Sequence, residues 1–499
     1  MLYHAAAASP HYACLLRATL AAVPPSVERP WRVVLYQDGV DPSDGLAKCH
    51  SRKCCVFYWS FLEFGLRALA CEQTWMTVTV VRATVLRKVS GGIVRISSMV
   101  LNSFFNQAHH DMQIGGVTVC LNGDNMQANI IAKLGVVLGD EPALKEVLSR
   151  TGHAGTKPCV LCINCVNHKP PGGADPLSEF SHFAVSHADP DFSKFIQHSD
   201  ESMRKSVARV HAQKGLLSQQ AFQTLSYVHG WTFSEYKLLL NERIKLDGAS
   251  VVMFDWAHVY LCDGIADVEL GMMMQALHKA HAAATYWELG VYIASWTTPR
   301  CFGNLSALFD DAAARNNIRK GMFACTASEF LTLAPMLARY VDAVLKPRGE
   351  CQLQIASFRA VLWVVELLHN VRRGCVGIET LRAAIKSHFM SFVAAYGVEE
   401  ARPKHHYSLH LPDMLARHGV LVPCLTNERR HRVVKRYARD RLKLQKWELG
   451  TLEEVTAHQL WELQHGFLKQ GLLSATAPRP STAYVIAEMC PMLWPMSAA

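Results

Sequence analysis

The sequence predicts an α/β protein with a strand-rich opening stretch, one further strand near residue 250, and a long block of helices. Three observations predict it. The first 140 residues hold β-branched and aromatic runs of strand length. The apolar run SVVMFDWAHVYL (250–261) reads as a strand as far as Asp255. From residue 264 to 400, nearly every segment carries apolar residues at helical spacing.

In chain order, residues 1–30 carry Pro24, Pro25 and Pro30 and read as a disordered leader ending in a linker. WRVVLYQDGVDPSDG is a strand over Arg32–Tyr36 running into an Asp- and Gly-rich turn. CCVFYWSFLEF (54–64) and WMTVTVVRATV (75–85) are strands, the second alternating with period two. In residues 91–107, Ile93, Ile96, Val100 and Phe104 recur at helical spacing. MQIGGVTVCL (112–121) suggests a hairpin turning at Gly115-Gly116. ANIIAKLGVVLGD (128–140) is a strand region that stops at Gly139-Asp140, and Glu141 and Pro142 suit the first turn of a helix over 141–150. Residues 168–200 are polar and read as a loop. Thr326 with Glu329 predicts a capping box, and Thr451 with Glu454 predicts another helix start. Trp287, Trp363 and Met272–Met274 lie on apolar helical stripes and read as core.

Composition narrows the function classes. Of 499 residues, 50% are hydrophobic and 19% charged, which excludes a disordered, collagen-like or mucin-like chain. The net charge of +9 suits a polyanionic partner, although a mildly basic protein without one has the same balance. No stretch reaches the roughly 18 to 20 apolar residues that a membrane span needs, so no membrane partner is expected. The 16 cysteines scatter except at Cys49, Cys54, Cys55 and at Cys159, Cys162, Cys165, a pattern of free thiols or metal ligands in a reducing compartment.

Three constellations can carry chemistry. Asp38, Asp140 and Asp255 each end a strand, where a side chain projects into open space. Carboxylates from neighbouring strand ends can converge on a hard divalent cation and leave water positions for a phosphate. Taken singly, an Asp after a strand is also an ordinary turn residue. The second constellation is GHAGTKPCVLCINCVNH (152–168). Its C-x₂-C knuckle suits tetrahedral Zn²⁺, with His153 and Cys165 or His168 as further ligands; the other reading is a set of buried free thiols. The third is TNERRHRVVKRYARDRLKLQK (426–446), where Lys/Arg at nine positions oppose Glu428 and Asp440. Arg429, Arg430, Arg432, Lys435, Arg436 and Arg439 are candidate phosphate contacts, spread over more than one helix face, and a solvated helix is the alternative. RRHRVVKR also fits a nuclear address.

The order of four motifs resembles transposases of the CACTA and Plavaka/Kyakuja-Dileera-Zisupton groups. These are YQDGVDP, then LGDEPALKEVLSRTGHAGTKPCVLC, then FDWAHVYLCDGI, then KHHYSLHLPDMLARHGVLVPCLTNERRHRVVKR, and the likeness covers residues 31 to 445. The resemblance implies a ribonuclease H-like mixed-sheet core interrupted by a large all-α insertion. It implies Asp38, Asp140 and Glu428 as ligands of Mg²⁺ or Mn²⁺, with Asp255 competing with Glu428 for the third place. Cys159 and Cys162 match the family's cysteine pair, which is structural. The implied activity is cleavage of double-stranded DNA and strand transfer in the nucleus, with a homo-oligomer as the expected assembly. The alternative is a catalytically inactive, domesticated or truncated DNA-binding relic.

The expected organisation is a leader to residue 30, then core residues 31–169 including the cysteine segment, then a loop and helical insertion over 170–249. A core strand follows at 250–262, an all-α insertion at 263–403, a core-completing basic helix in 404–446, and a terminal helix and tail over 447–499.

Overall fold

In a computed structural model the described residues are 1–42, 52–106, 111–122, 127–151, 156–167, 183–236, 238–280, 285–298, 303–371, 374–441 and 445–465. The protein is mixed α/β with a mixed central sheet. It divides into two compact units. The first takes in Met1–Val185, Phe195–Asp255 and Val422–Gln470, and the second includes Ser186–Lys194 and Trp256–Leu421.

The first unit is built on a five-stranded sheet. Its strands are β1 (Trp31–Val40), β2 (Cys54–Phe61), β3 (Met76–Arg82), β4 (Ala132–Gly139) and β5 (Val252–Phe254), in the spatial order β3-β2-β1-β4-β5. β2 runs antiparallel to both neighbours, while β1, β4 and β5 are parallel. β2 is buried along its whole length, as a strand covered on both faces must be, which is why it shows no apolar/polar alternation.

One irregularity decides what meets at the end of this sheet. β1 pairs Val33 with Leu134 but Val34 with Val136, so Gly135 is an extra residue in β4. A bulge of this kind shifts every later pair by one. From there Tyr36 faces Leu138, and continuing the register brings Asp38 level with Asp140 rather than with Gly139. On the other side Gly139 pairs with Phe254, which brings Asp255 to the same level.

Helices flank the sheet: α1 (Gly92–Phe105), α2 (Glu141–Leu148), α3 (Leu425–Asp440) and α4 (Trp447–Gln464). Asp140 caps α2, its Oδ1 accepting from Ala143 N at 2.9 Å, with Pro142 in the first turn. α3 packs against β1 and α4 against β3. Arg82 Nε and Nη2 grip Glu448 at 2.7 and 3.0 Å and tie β3 to α4.

The second unit has no strand among its described residues 256–421. Helices Ile265–Ala280, Gln352–Val371 and Ile378–Tyr396 surround a buried pair, Glu269 with His388 at 2.7 Å. The Thr326/Glu329 capping box opens helix Ala327–Tyr340.

Several local expectations need correction. Residues 1–30 are not a structureless leader: Leu2–Ala8 and Pro10–Ala22 are helices, and Tyr12, Ala13 and Leu16 are buried. Val117–Cys120 pairs with Gln127–Ile130, so the small hairpin does not turn at Gly115-Gly116. Thr451 is a buried residue inside α4, which begins a turn earlier at Trp447. Trp287 is 68% exposed rather than core. Residues 474–499 lie outside the described residues. No helix among the described residues is long and apolar enough to cross a membrane.

Candidate active site

The site is assembled from the carboxyl end of β1 and the first turn of α3. Alternation along β1 puts Tyr36 and Asp38 on one face, and Tyr36 Oη lies 3.0 Å from Asp38 Oδ2. The same hydroxyl lies 3.1 Å from Glu428 Oε1. His431, one turn beyond Glu428 on α3, shares its face. Its Nε2 lies 3.0 Å from Asp38 Oδ2 and 3.7 Å from Glu428 Oε1. Its Nδ1 lies 3.0 Å from Tyr58 Oη, contributed by β2.

Electrostatics follow from this crowding. Burial, reinforced by the negative groups Asp38, Glu428 and Asp255 and the Cys424 thiol, holds the Tyr36 phenol well above its ordinary range, so it stays a proton donor. Burial works against protonation of His431, but its hydrogen bonds to Asp38 and Glu428 prevail and raise its pKa. Asp38 and Glu428 are themselves only partly buried and open to solvent.

Asp38, Glu428 and His431 offer ligand atoms that all lie within 4.8 Å of one another and could hold a metal ion. Two carboxylate oxygens in that spacing fit a hard cation such as Mg²⁺ or Mn²⁺. Asp140 stands at the neighbouring strand end, oriented by its cap on α2. Asp255 is placed differently. It is 1% exposed, and its Oδ1 accepts from Cys424 N at 3.1 Å, so it anchors the start of α3. Between Glu428 and Asp255, it is Glu428 that the structure brings to Asp38.

The basic helix is more ordered than its sequence suggested. Arg429, Arg432, Arg436 and Arg439 are exposed and recur three or four residues apart, forming one stripe that starts beside Glu428, with exposed Lys435 widening it. Glu72 pairs with Arg429 and Arg432 at 3.4 and 3.3 Å. Arg430 does not belong to the stripe. It is 0% exposed, donates to Glu72 O at 3.2 Å and faces Glu462 at 3.8 Å, and so it is part of the interior.

Cys159 and Cys162 are buried in the first unit, and His406 and His410 are buried in the second. Cys159 Sγ accepts from Leu161 N at 3.3 Å, a turn that brings the two thiols together. His406 and His410, i and i+4 in chain, set their Nε2 atoms 3.2 Å apart. Cys165 is buried and lies in the short ladder with Val185–Ser186. His153 lies outside the described residues.

Tyr36 and Tyr58 were given no role from the sequence, and His431, His406 and His410 entered it only within the motifs that carry the resemblance. The signals were present: Tyr36 two before Asp38, His431 three after Glu428, and His406 four before His410.

No protein-family model matches this chain, and no curated protein matches it.

Proposed function

We propose that this protein is a transposon-derived DNA transposase whose first unit is a ribonuclease H-like core. The observation that carries the reading is the meeting of Asp38 and Glu428 across Tyr36, level with Asp140 on the adjacent parallel strand. The strand order with β2 alone reversed supports the same fold reading, with the helical residues 256–421 as the insertion before its last helix.

In this reading Asp38, Asp140 and Glu428 hold Mg²⁺ or Mn²⁺. Such a pair of ions supplies an activated oxygen nucleophile and a stabilised leaving oxygen on phosphate. The chain's own part is placement. Asp38 and Asp140 take their positions from adjacent strands, and Glu428 takes its position from the first turn of α3. Rigid elements hold such ligands more tightly than loops do. Tyr36 fixes the spacing of Asp38 and Glu428. The exposed stripe from Arg429 to Arg439 holds DNA phosphates beside the carboxylates, fixing position rather than reading sequence. Cys159 and Cys162 serve a structural zinc, and metal analysis of the purified protein with and without Cys159→Ser checks that part.

The deciding experiment incubates the chain with labelled double-stranded DNA and Mg²⁺ or Mn²⁺, with EDTA as control. Cation-dependent nicking that Asp38→Asn abolishes supports the reading. Equal cutting by parent and variant overturns the site. Salt-sensitive DNA binding with no cleavage under either cation makes the protein the inactive, domesticated relic.

A further inference from the structure

We propose that His431 is a nitrogen ligand of the cation held by Asp38 and Glu428, oriented by Tyr58, and that it makes the site prefer Mn²⁺ to Mg²⁺. The inference rests on the reading of those two carboxylates as cation ligands and names the third donor and the ion that the set favours.

The spacing is that of a coordination sphere. Donors on adjacent corners of an octahedral ion, each about 2.1 Å from it, stand about 3 Å apart. His431 Nε2 stands 3.0 Å from Asp38 Oδ2 and 3.7 Å from Glu428 Oε1. The ring is 3% exposed, so it cannot swing into solvent without unpacking α3 from the sheet.

An ordinary histidine–carboxylate pair has the same first contact, and it is the far side of the ring that separates the two roles. A histidine bound to a metal through Nε2 carries its proton on Nδ1 and needs an acceptor there. Tyr58 Oη is 3.0 Å from Nδ1, and a phenol oxygen accepts as well as donates. Tyr58 is fully buried. Its ring stacks on Tyr36 with centroids 6.3 Å apart and planes 15° apart, so it is held in place by the same residue that spans the two carboxylates. When the cation binds, Nε2 gives up its proton to solvent and turns its lone pair to the ion. The Nδ1 proton stays in its bond to Tyr58.

The chemical consequence is ion choice. Mg²⁺ is served best by oxygen and sheds water reluctantly. An imidazole nitrogen suits first-row transition ions, and Mn²⁺ is the member of that series that also takes the oxygen donors Mg²⁺ takes. A site of two carboxylates and one imidazole therefore binds Mn²⁺ more tightly.

The test uses the full chain loaded with Mn²⁺ alone and reads the ion's nearest nuclei by pulsed electron paramagnetic resonance. The expected result is nitrogen modulation on the Mn²⁺ that Asp38→Asn displaces, lost in His431→Gln. Calorimetry should give Mn²⁺ binding tighter than Mg²⁺ binding in the parent, with the ratio shrinking in His431→Gln. In Tyr58→Phe the modulation remains while Mn²⁺ affinity falls about tenfold or more, as for other outer-shell partners of metal-bound histidine. Circular dichroism of each variant separates these effects from unfolding. Asp38-dependent Mn²⁺ without nitrogen modulation, or with modulation that survives His431→Gln, overturns the inference and leaves the carboxylate reading standing. Mn²⁺ binding that Asp38→Asn does not affect overturns both.

Discussion

Gly135 lies against Arg32 so closely that a Cβ on it would stand 2.3 Å from the Arg32 Cβ. This contact sits where β4 slips one residue against β1, the slip that brings Asp140 level with Asp38. Gly135→Ala forces the two strands apart or undoes the bulge. Overpacking of this kind costs about 1–3 kcal/mol. We expect that loss in chemical denaturation, together with a drop in cleavage larger than the lost folded fraction accounts for. A variant with unchanged stability would show that the strands give way freely at this point.

Asp140 and Asp255 occupy equivalent strand ends, yet their substitutions should have opposite signatures. Asn caps a helix about as well as Asp, so Asp140→Asn keeps α2 and its melting temperature. What it removes is a charge that a cation needs, worth several kcal/mol of transition-state stabilisation, or about 10³-fold in rate. Asp255→Asn weakens a charged acceptor for Cys424 N, an interaction of about 1.5–3 kcal/mol, and should lower stability first. Parallel melts and nicking rates compare the two. Unchanged nicking by Asp140→Asn removes it from the triad.

Much of this was legible in the sequence, and the failures have physical reasons. β1, β2, β3 and α1 follow from β-branched runs and helical spacing, and their bounds fall within a few residues of expectation. The Asp38–Glu428 meeting was named from resemblance, because no local pattern links residues 390 positions apart. Arg430 misled because charge density along a helix does not say which face packs. One 100° step separates it from Arg429, which is exposed. Trp287 misled the other way, since an aromatic on an apolar stripe can face outward. The bulge at Gly135 left no periodic trace, because β4 is buried without a break from Leu134 to Gly139.

The stripe on α3 makes a quantitative prediction. Changing Arg432, Arg436 and Arg439 together to Gln should lower DNA affinity about equally for all sequences and reduce the slope of log affinity against log salt by about 3. Arg430→Met should leave that slope unchanged while destabilising the protein, since Glu462 loses its guanidinium and keeps only His458, and Glu72 O loses its donor. Fluorescence anisotropy at several salt concentrations reads the first effect and chemical denaturation the second. An equal loss of affinity from Arg430→Met would place its side chain on the DNA side after all.

Asp267, in the second unit, gives the protein a pH dependence apart from the carboxylate site. Burial pushes its carboxyl up to about 8, against the pull of the Gly264 N–H that donates to it. An unfolded aspartate titrates near 4. Between these values the folded chain retains a proton that the unfolded chain has released, so stability falls as pH rises through the window and levels off above it. Asp267→Asn keeps an acceptor for Gly264 N and removes the charge. The variant should be more stable than the parent at pH 8, and its advantage should shrink steadily toward pH 4. Denaturation midpoints across that range decide the point: parallel curves for parent and variant would mean that Asp267 titrates as it does in the unfolded chain.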